Sequence, residues 1–484
     1  MKDMMNAMKK RMPGKPAGSR TLNFESVKAG RECFPLSFLH GQALGVRFML
    51  TVILMFSLIF LLSSCSRKTS NIATVVTIWD VSGQPGTIVE ESFAGSSRRV
   101  QKQRSGFIRG LQEYPKQTLI DELIVPENSG LGDSAKILAD IYSSEDVLLT
   151  VGASCDLHTM YAAMTNAFFN IPILIPFSDG DLVTDTGAEY SMRMAPVTQK
   201  YADYVGSVLF PPNTKQVIDT LLFENKPLPD YEINTAVFFA DNFNGHDTSV
   251  KITQKLMDNG LDVDYYRPYP TNELLSVFNT CWNEEKSTLA ETDVLLIIGE
   301  DMDELPDLGR ILDYWDTVSA KPIVLILGYA PGYSSNDVWA EEHDNLFVIR
   351  QYLDMSKCPS DIINHEEAVG YAAGYVTQKV LDLAMQSATP EPSGWQIGYK
   401  TEADKQQIHQ NYVADLRSKV FSSFMSLRDD IPCFGKPMFD TSSSDRRQLE
   451  LVQYIDMDQV RVCDTGIIQS LLIDIVRNKT GLSE

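Results

Sequence analysis

From residue 72 onward, short apolar runs rich in β-branched side chains alternate with longer segments whose apolar positions recur every three to four residues. The runs predict strands over 75–79, 119–125, 147–151 and 172–175. The periodic segments between them predict helices over 97–114, 133–142 and 157–168. Strands separated by crossover helices lie parallel, with the helices covering the sheet. A second series begins after Lys200, with helices over 200–209, 249–259 and 305–318 and strands over 235–240, 261–266, 294–299 and 322–327. Two such series of similar size predict an α/β fold of two doubly wound parallel-sheet lobes. A strand over 346–350 carries the chain back, because the strong helical pattern over 366–385 needs the first sheet to cover. Two crossings, the first at 195–202, make a multi-crossing hinge between lobes that are discontinuous in sequence. Beyond residue 387 come a Pro-rich linker over 389–394, a charged helix over 402–427 and a hairpin pattern over 451–463. The expected division is lobe 1 over 72–198, lobe 2 over 199–348, a return to lobe 1 with a helical extension over 349–448, and a hairpin and helix over 449–484.

The first 64 residues break this rhythm and read as a targeting segment. A leader with Lys9, Lys10, Arg11, Lys15 and Arg20 precedes an almost wholly apolar run over 48–62. That run has the length of a signal-peptide core and falls short of the ~20 residues a membrane-spanning helix needs. It ends in Leu62-Ser63-Ser64-Cys65, which resembles the bacterial lipoprotein cleavage box. The resemblance implies a lipidated Cys65 as the first residue of the mature chain, followed by a tether over 65–71. Several acyl chains at roughly 0.8 kcal/mol per CH₂ hold a soluble body at a membrane. The competing reading is an uncleaved anchor helix with a chance cysteine. Both readings place the body in the bacterial cell envelope, facing the periplasm or exterior.

Composition changes this picture little, but charge narrows it. At 44% hydrophobic and 22% charged, 484 residues suffice for two cores. The net charge is −22, and the basic leader conceals a more acidic body. Such a body repels phosphate backbones, which argues against nucleic acid as a partner. Cys155, Cys281, Cys358, Cys433 and Cys463 lie far apart without C-x-x-C spacing, against a zinc or redox motif. An oxidising compartment permits disulfides, and Cys433 with Cys463 is the pair nearest in sequence among the late ones.

The order of motifs along 141–196 carries a family resemblance. Ile141-Tyr142-Ser143-Ser144-Glu145-Asp146-Val147-Leu148-Leu149-Thr150-Val151-Gly152-Ala153-Ser154-Cys155 is followed by Asn170-Ile171-Pro172-Ile173-Leu174-Ile175-Pro176-Phe177-Ser178 and by Tyr190-Ser191-Met192-Arg193-Met194-Ala195-Pro196. The progression resembles the type I periplasmic binding proteins, the branched-chain amino-acid receptors and related receptor ligand-binding regions. Asp241-Asn242-Phe243-Asn244-Gly245 and the helix over 368–383 also resemble elements of that family. The likeness covers roughly 72–390 as a pattern, and no single motif in it is diagnostic.

Open α/β sheets bind ligands at the carboxyl ends of their strands. By resemblance, Ser154, Cys155 and Asp156 form the first ligand loop and Ser178 and Asp179 the second, with Asn244 and Tyr329 contributed by lobe 2. Helix capping by Ser154 or Asp156, and packing by Tyr329, are the structural alternatives. The family's loops hold a free carboxylate, whereas Asp156 and Asp179 stand at or next to those positions here. Carboxylates facing a carboxylate cost binding energy, so an amine, an uncharged polar molecule or a peptide-like ligand is as well suited as a branched-chain amino acid.

Catalysis finds little support. The five histidines beyond the leader, His158, His246, His343, His365 and His409, show no H-x-x-x-H or H-E-x-x-H spacing, and neither a G-x-S-x-G elbow nor a phosphate-binding loop occurs. His158 follows Ser154 and Cys155 closely, but a histidine at a helix start is usually a solvated residue. The acidic run over 300–304 reads as a solvated helix start rather than a calcium site. The expectation is a lipid-anchored solute-binding protein, not an enzyme, without cofactor or metal. It captures a small polar ligand and partners an ABC-type permease or a sensor protein. The alternative is a ligand-sensing or protein-interaction module of the same fold.

Overall fold

A computed structural model of the protein describes residues 71–482, except 84–87, 116–117, 128–130, 154, 182, 184–188, 225, 271–272, 300–307, 318–320, 328–343, 393–397, 399, 438, 440–448 and 455–459. The described residues belong to one compact unit, Ser70–Glu484. Cys65 and the rest of the leader, Ser154 and Tyr329 lie outside them.

The first lobe is built on β1 (Asn71–Trp79), β2 (Thr118–Pro126), β3 (Val147–Val151), β4 (Ile173–Ile175) and β5 (Ser191–Arg193). All pairs are parallel, in the order β2-β1-β3-β4-β5. β3 and β4 are buried throughout, as uninterrupted apolar runs must be when helices cover both faces. The helices α1 (Arg98–Glu113), α2 (Leu131–Ser144) and α3 (Asp156–Phe169) connect the strands. One face packs Trp79, Phe107 and Phe177 in a common core, and the other packs Tyr142, Ile171 and Ile173.

After the first crossing come α4 (Thr198–Asp203), α5 (Thr214–Phe223), β6 (Asn234–Ala240), α6 (Phe243–Asp258), β7 (Asp262–Tyr269), α7 (Leu274–Ala290), β8 (Val294–Ile298), α8 (Leu308–Asp313), β9 (Ile323–Leu327) and β10 (Leu346–Gln351). β6 to β10 pair in parallel, with β7 at one edge. There Asp262, Asp264 and Arg267 alternate with buried Tyr265 and Tyr269 beside Pro268, a blunted edge strand.

The chain then returns. α9 (His365–Ser387) lies against α1, and α10 (Glu402–Ser426) packs on α9. The α1–α9 contact is made of glycines spaced four apart: a Cβ at Gly106, Gly110, Gly370 or Gly374 would lie 2.0–2.1 Å from a backbone oxygen of the facing helix. α10 starts at a capping box formed by Thr401 and Asp404 and buries Val413, Leu416, Val420 and Phe424. A third crossing brings β11 (Leu449–Tyr454), β12 (Val460–Val462) and α11 (Gly466–Lys479) back to lobe 2. β11 joins β10 antiparallel and β12 closes the hairpin. Among the described residues no helix is long and apolar enough to cross a membrane.

Several local expectations are corrected. The helix expected over 200–209 is α-helical only to Asp203 and then a π-helix, Tyr204–Leu209. Asn259 Nδ2 donates to the Gly206 and Phe210 carbonyls, and a side chain bonding into the helix ladder favours such widening. The pattern reading passed over α5 and α7; in α7 the polar run 284–288 and a non-helical Glu285 interrupt the apolar period. The cysteine pairing is also different. Cys358 bonds Cys433, while Cys463 is free in lobe 2 with its N–H on Leu451 O. Closeness in sequence misled because the hairpin leaves the lobe that holds Cys433.

Candidate ligand-binding cleft

The carboxyl ends of β3, β4 and β5 and the start of α6 bring four of the sequence-identified residues together. Asp156 opens α3 and is buried. Its Oδ1 accepts hydrogen bonds from Ser178 Oγ and from the Gly180 N–H at 2.9 Å, fixing the turn after β4. A Cβ at Gly180 would stand 2.5 Å from Asp156 Oδ2, so the close approach requires glycine. Fully buried Arg193 clamps the turn from the other side, its Nη2 donating to Gly180 O at 2.6 Å. Burial pushes the Asp156 carboxyl above the usual carboxylate range, against the bonds from Ser178 and Gly180 and the charge of Arg193.

The next residue reaches the other lobe. Asp179 Oδ1 accepts from Asn244 Nδ2 at 2.7 Å, and Asn244 Oδ1 accepts from Thr248 Oγ1 at 3.0 Å. Both Asp179 and Asn244 are buried. The Asp179 carbonyl accepts from the N–H and hydroxyl of Thr198, just past the first crossing. Alongside, Lys251 of α6 bridges Asp181 at 2.5 Å and Asp247 at 2.6 Å. The two acids that argued against a carboxylate ligand therefore face protein donors. Asp156 braces a turn, and Asp179 joins the lobes. The strand-end N–H groups are similarly engaged, Gly152 with Leu174 O and Cys155 with Glu127 Oε1 at 2.5 Å.

Behind this contact lies a cavity of about 30 Å³ at the crossings, lined by Phe177, Asp179, Tyr201, Arg350, His365 and Glu366 among others. It has room for a water or two, not for a solute. Polar groups seal it. Gln351 Nε2 donates to Met194 O at 2.9 Å, tying the second crossing to the first. His365 Nε2 donates to Gln351 O at 2.9 Å, Arg350 pairs with Glu450 at 2.8 Å, and Gln103 donates to Glu366 at 2.6 Å. Burial, reinforced by the charge of Arg350, holds the His365 imidazole down to about 3, against the bond to Gln351 O. It is a neutral ring at any physiological pH.

Glu127, Lys251, Gln351 and His365 were not singled out in the sequence. Glu127 had a usable signal, since it directly follows β2 and ligands of open α/β sheets gather at the carboxyl ends of strands. Arg193 stood in a motif used only for the resemblance.

By sequence, neither a family model nor a curated protein matches the chain. Solved structures do match by shape. A solute-binding protein of an ABC transporter from Rhodopseudomonas palustris, in complex with p-hydroxybenzoic acid, superimposes with a TM-score of 0.55 at 12% identity, covering 81% of this chain and 96% of that one. The leucine-binding protein LivK from Thermotoga maritima gives 0.53 at 12% identity, covering 81% and 98%. The branched-chain amino acid transporter substrate-binding protein LivJ from Streptococcus pneumoniae, in complex with isoleucine, gives 0.51 at 10% identity, covering 81% and 99%. The likeness is one of fold: two parallel-sheet lobes joined by crossings at 194–198 and 350–365, which is the type I periplasmic binding protein fold.

Proposed function

We propose that the protein is an extracytoplasmic solute-binding protein, moored through lipidated Cys65, that captures a small polar, amino-acid-like solute between its lobes and delivers it to an ABC-type permease. The observation that carries the reading is the buried Asp179–Asn244 hydrogen bond between lobes at the strand ends, a contact that hinge opening breaks and closure remakes. Two of the solved neighbours named above support it, being binding proteins crystallised with small molecules. On this reading the ligand loops are 154–156 and 178–179, with Asn244 and Tyr329 opposite, and no bond is made or broken.

The test is a thermal-shift screen of the full-length lipidated protein against amino acids, amines, short peptides and aromatic acids. A solute that binds only the folded state stabilises it by RT ln(1 + [L]/Kd), about 2.7 kcal/mol at a hundredfold excess over Kd. A shift with one chemical class, weakened in Asn244→Ala, is expected. A screen without any shift favours the second reading, a sensor or protein-interaction module. The direct Asp179–Asn244 contact speaks for that reading too, since it joins the lobes with protein groups alone.

A further inference from the structure

Glu127 Oε, Cys155 Sγ and His158 Nδ1 converge at the ends of β2 and β3, with these ligand atoms all within 4.8 Å of one another. They come from two strand ends and the first turn of α3, so the convergence is a product of the fold and not of local sequence. Glu127 is 3% exposed, while Cys155 and His158 are half-buried, with the His158 Nδ1 itself buried. Glu127 Oε1 lies 3.8 Å from His158 Nδ1 and accepts the Cys155 N–H, which anchors the carboxylate beside the thiol.

We propose that these three side chains bind a zinc ion. Thiolate, imidazole and carboxylate donors sit at about 2.3, 2.0–2.1 and 2.0–2.2 Å from tetrahedral zinc. Those lengths place neighbouring donor atoms roughly 3.3–3.6 Å apart. The nitrogen and oxygen, at 3.8 Å, need only a small adjustment, while the sulfur, within 4.8 Å of both, closes in by side-chain rotation as the ion binds. The soft sulfur and the imidazole select zinc over calcium or magnesium, which take oxygen ligands. A carboxylate has lone pairs enough to hold both the Cys155 N–H and an ion. Binding releases the thiol proton. Three protein ligands leave the fourth position to water, the arrangement of zinc sites that accept an exogenous group rather than of closed structural ones. The acidic body adds a long-range attraction for any cation.

Two other histidine–acid groups are less suited. Among the described residues His246 pairs with a single acid, Asp241, and His409 spends both ring nitrogens on hydrogen bonds to Glu391 and Asp146.

The test uses the full-length protein, purified anaerobically without added thiol and titrated with zinc against a chromophoric chelator. One zinc per chain is expected, and Cys155→Ser and His158→Gln should each weaken it about tenfold or more, while His409→Gln leaves it unchanged. Cobalt in place of zinc should give a near-ultraviolet thiolate-to-metal band that disappears in Cys155→Ser. Far-ultraviolet circular dichroism and the metal-free melting midpoint identify any variant that misfolds. Should one do so, the cobalt band of the wild-type protein, tested against Cys281→Ser and Cys463→Ser, still assigns the sulfur. Substoichiometric binding, a cobalt band that survives Cys155→Ser, or equal affinities across the set would overturn the proposal. Because the probe is the metal alone, its outcome is independent of whether a solute is ever found.

Discussion

His365 begins α9 where the second crossing ends; its Nδ1 is buried and its Nε2 is bonded to Gln351 O. Its folded-state pKa of about 3 lies below the ordinary 6.5 of the unfolded chain. The sign follows: stability from the neutral ring is fully present above pH 6.5 and is lost as pH falls toward 3, because the unfolded chain takes up the proton first. From pH 6.5 to about pH 5 the loss is roughly 1–2 kcal/mol. His365→Gln keeps an N–H donor for Gln351 O and cannot titrate, so its urea midpoint should fall less over that interval than the wild-type midpoint does. Comparing the two proteins cancels the carboxylates they share. Equal slopes would show that the ring is solvated, and the crossing would then be looser than the Gln351–Met194 bond implies.

At the scale of elements, the α1–α9 pair is the most demanding contact in lobe 1. Backbone meets backbone through Gly106, Gly110, Gly370 and Gly374, and the two helices are some 260 residues apart in the chain. Gly110→Ala places a methyl 2.1 Å from Tyr371 O, which forces the axes apart. A loss of about 1–3 kcal/mol in chemical denaturation is expected, typical of overpacking, although alanine is the better helix former. An unchanged midpoint would mean that the helices slide freely. These glycines also show what sequence reading can and cannot reach. Uninterrupted runs such as 147–151 and 323–327 were legible as strands because burial on both faces leaves no polar position to blur them. The long α9 was legible from its helical pattern and α10 as a charged helical stretch. The close α1–α9 approach was not, since it depends on which helix faces which. The cleft divides likewise. The family resemblance pointed to Asp156, Ser178, Asp179 and Asn244, which the fold brings together, but gave no sign that Asp156 turns inward to Gly180 or that Gln351 reaches Met194, 157 residues away. Such roles arise from tertiary pairing and leave no local trace.

For the whole molecule, the decisive feature is the third crossing, which makes β11, β12 and α11 part of lobe 2 rather than a tail. β11 covers the β10 edge, pairing Ile349 with Leu451 and Val348 with Val452, and Glu450 meets Arg350 in a buried ion pair. α11 inserts Ile468, Leu472, Ile475 and Val476 into the same core as Phe239, Leu325 and Phe347. Lys479 reaches buried Asp293 at 2.7 Å. Deleting residues 449–484 therefore uncovers a long apolar strand edge and withdraws Leu449, Leu451 and Val452 along with the four α11 side chains. At about 1.5–3 kcal/mol for each buried side chain, the loss reaches roughly 10 kcal/mol or more, comparable with the ~5–15 kcal/mol that separates a folded domain from its unfolded state. The expected outcome is that residues 1–448 accumulate as insoluble material while the full chain does not, as read by fractionation after expression at matched levels. Soluble truncated protein with the full-length melting midpoint would instead make the segment an appended module. If the deletion fails as expected, lobe 2 cannot close its sheet until the final helix is available. On the proposed solute-binding reading, any hinge opening then carries the C-terminal hairpin and α11 with lobe 2, because their side chains share its core.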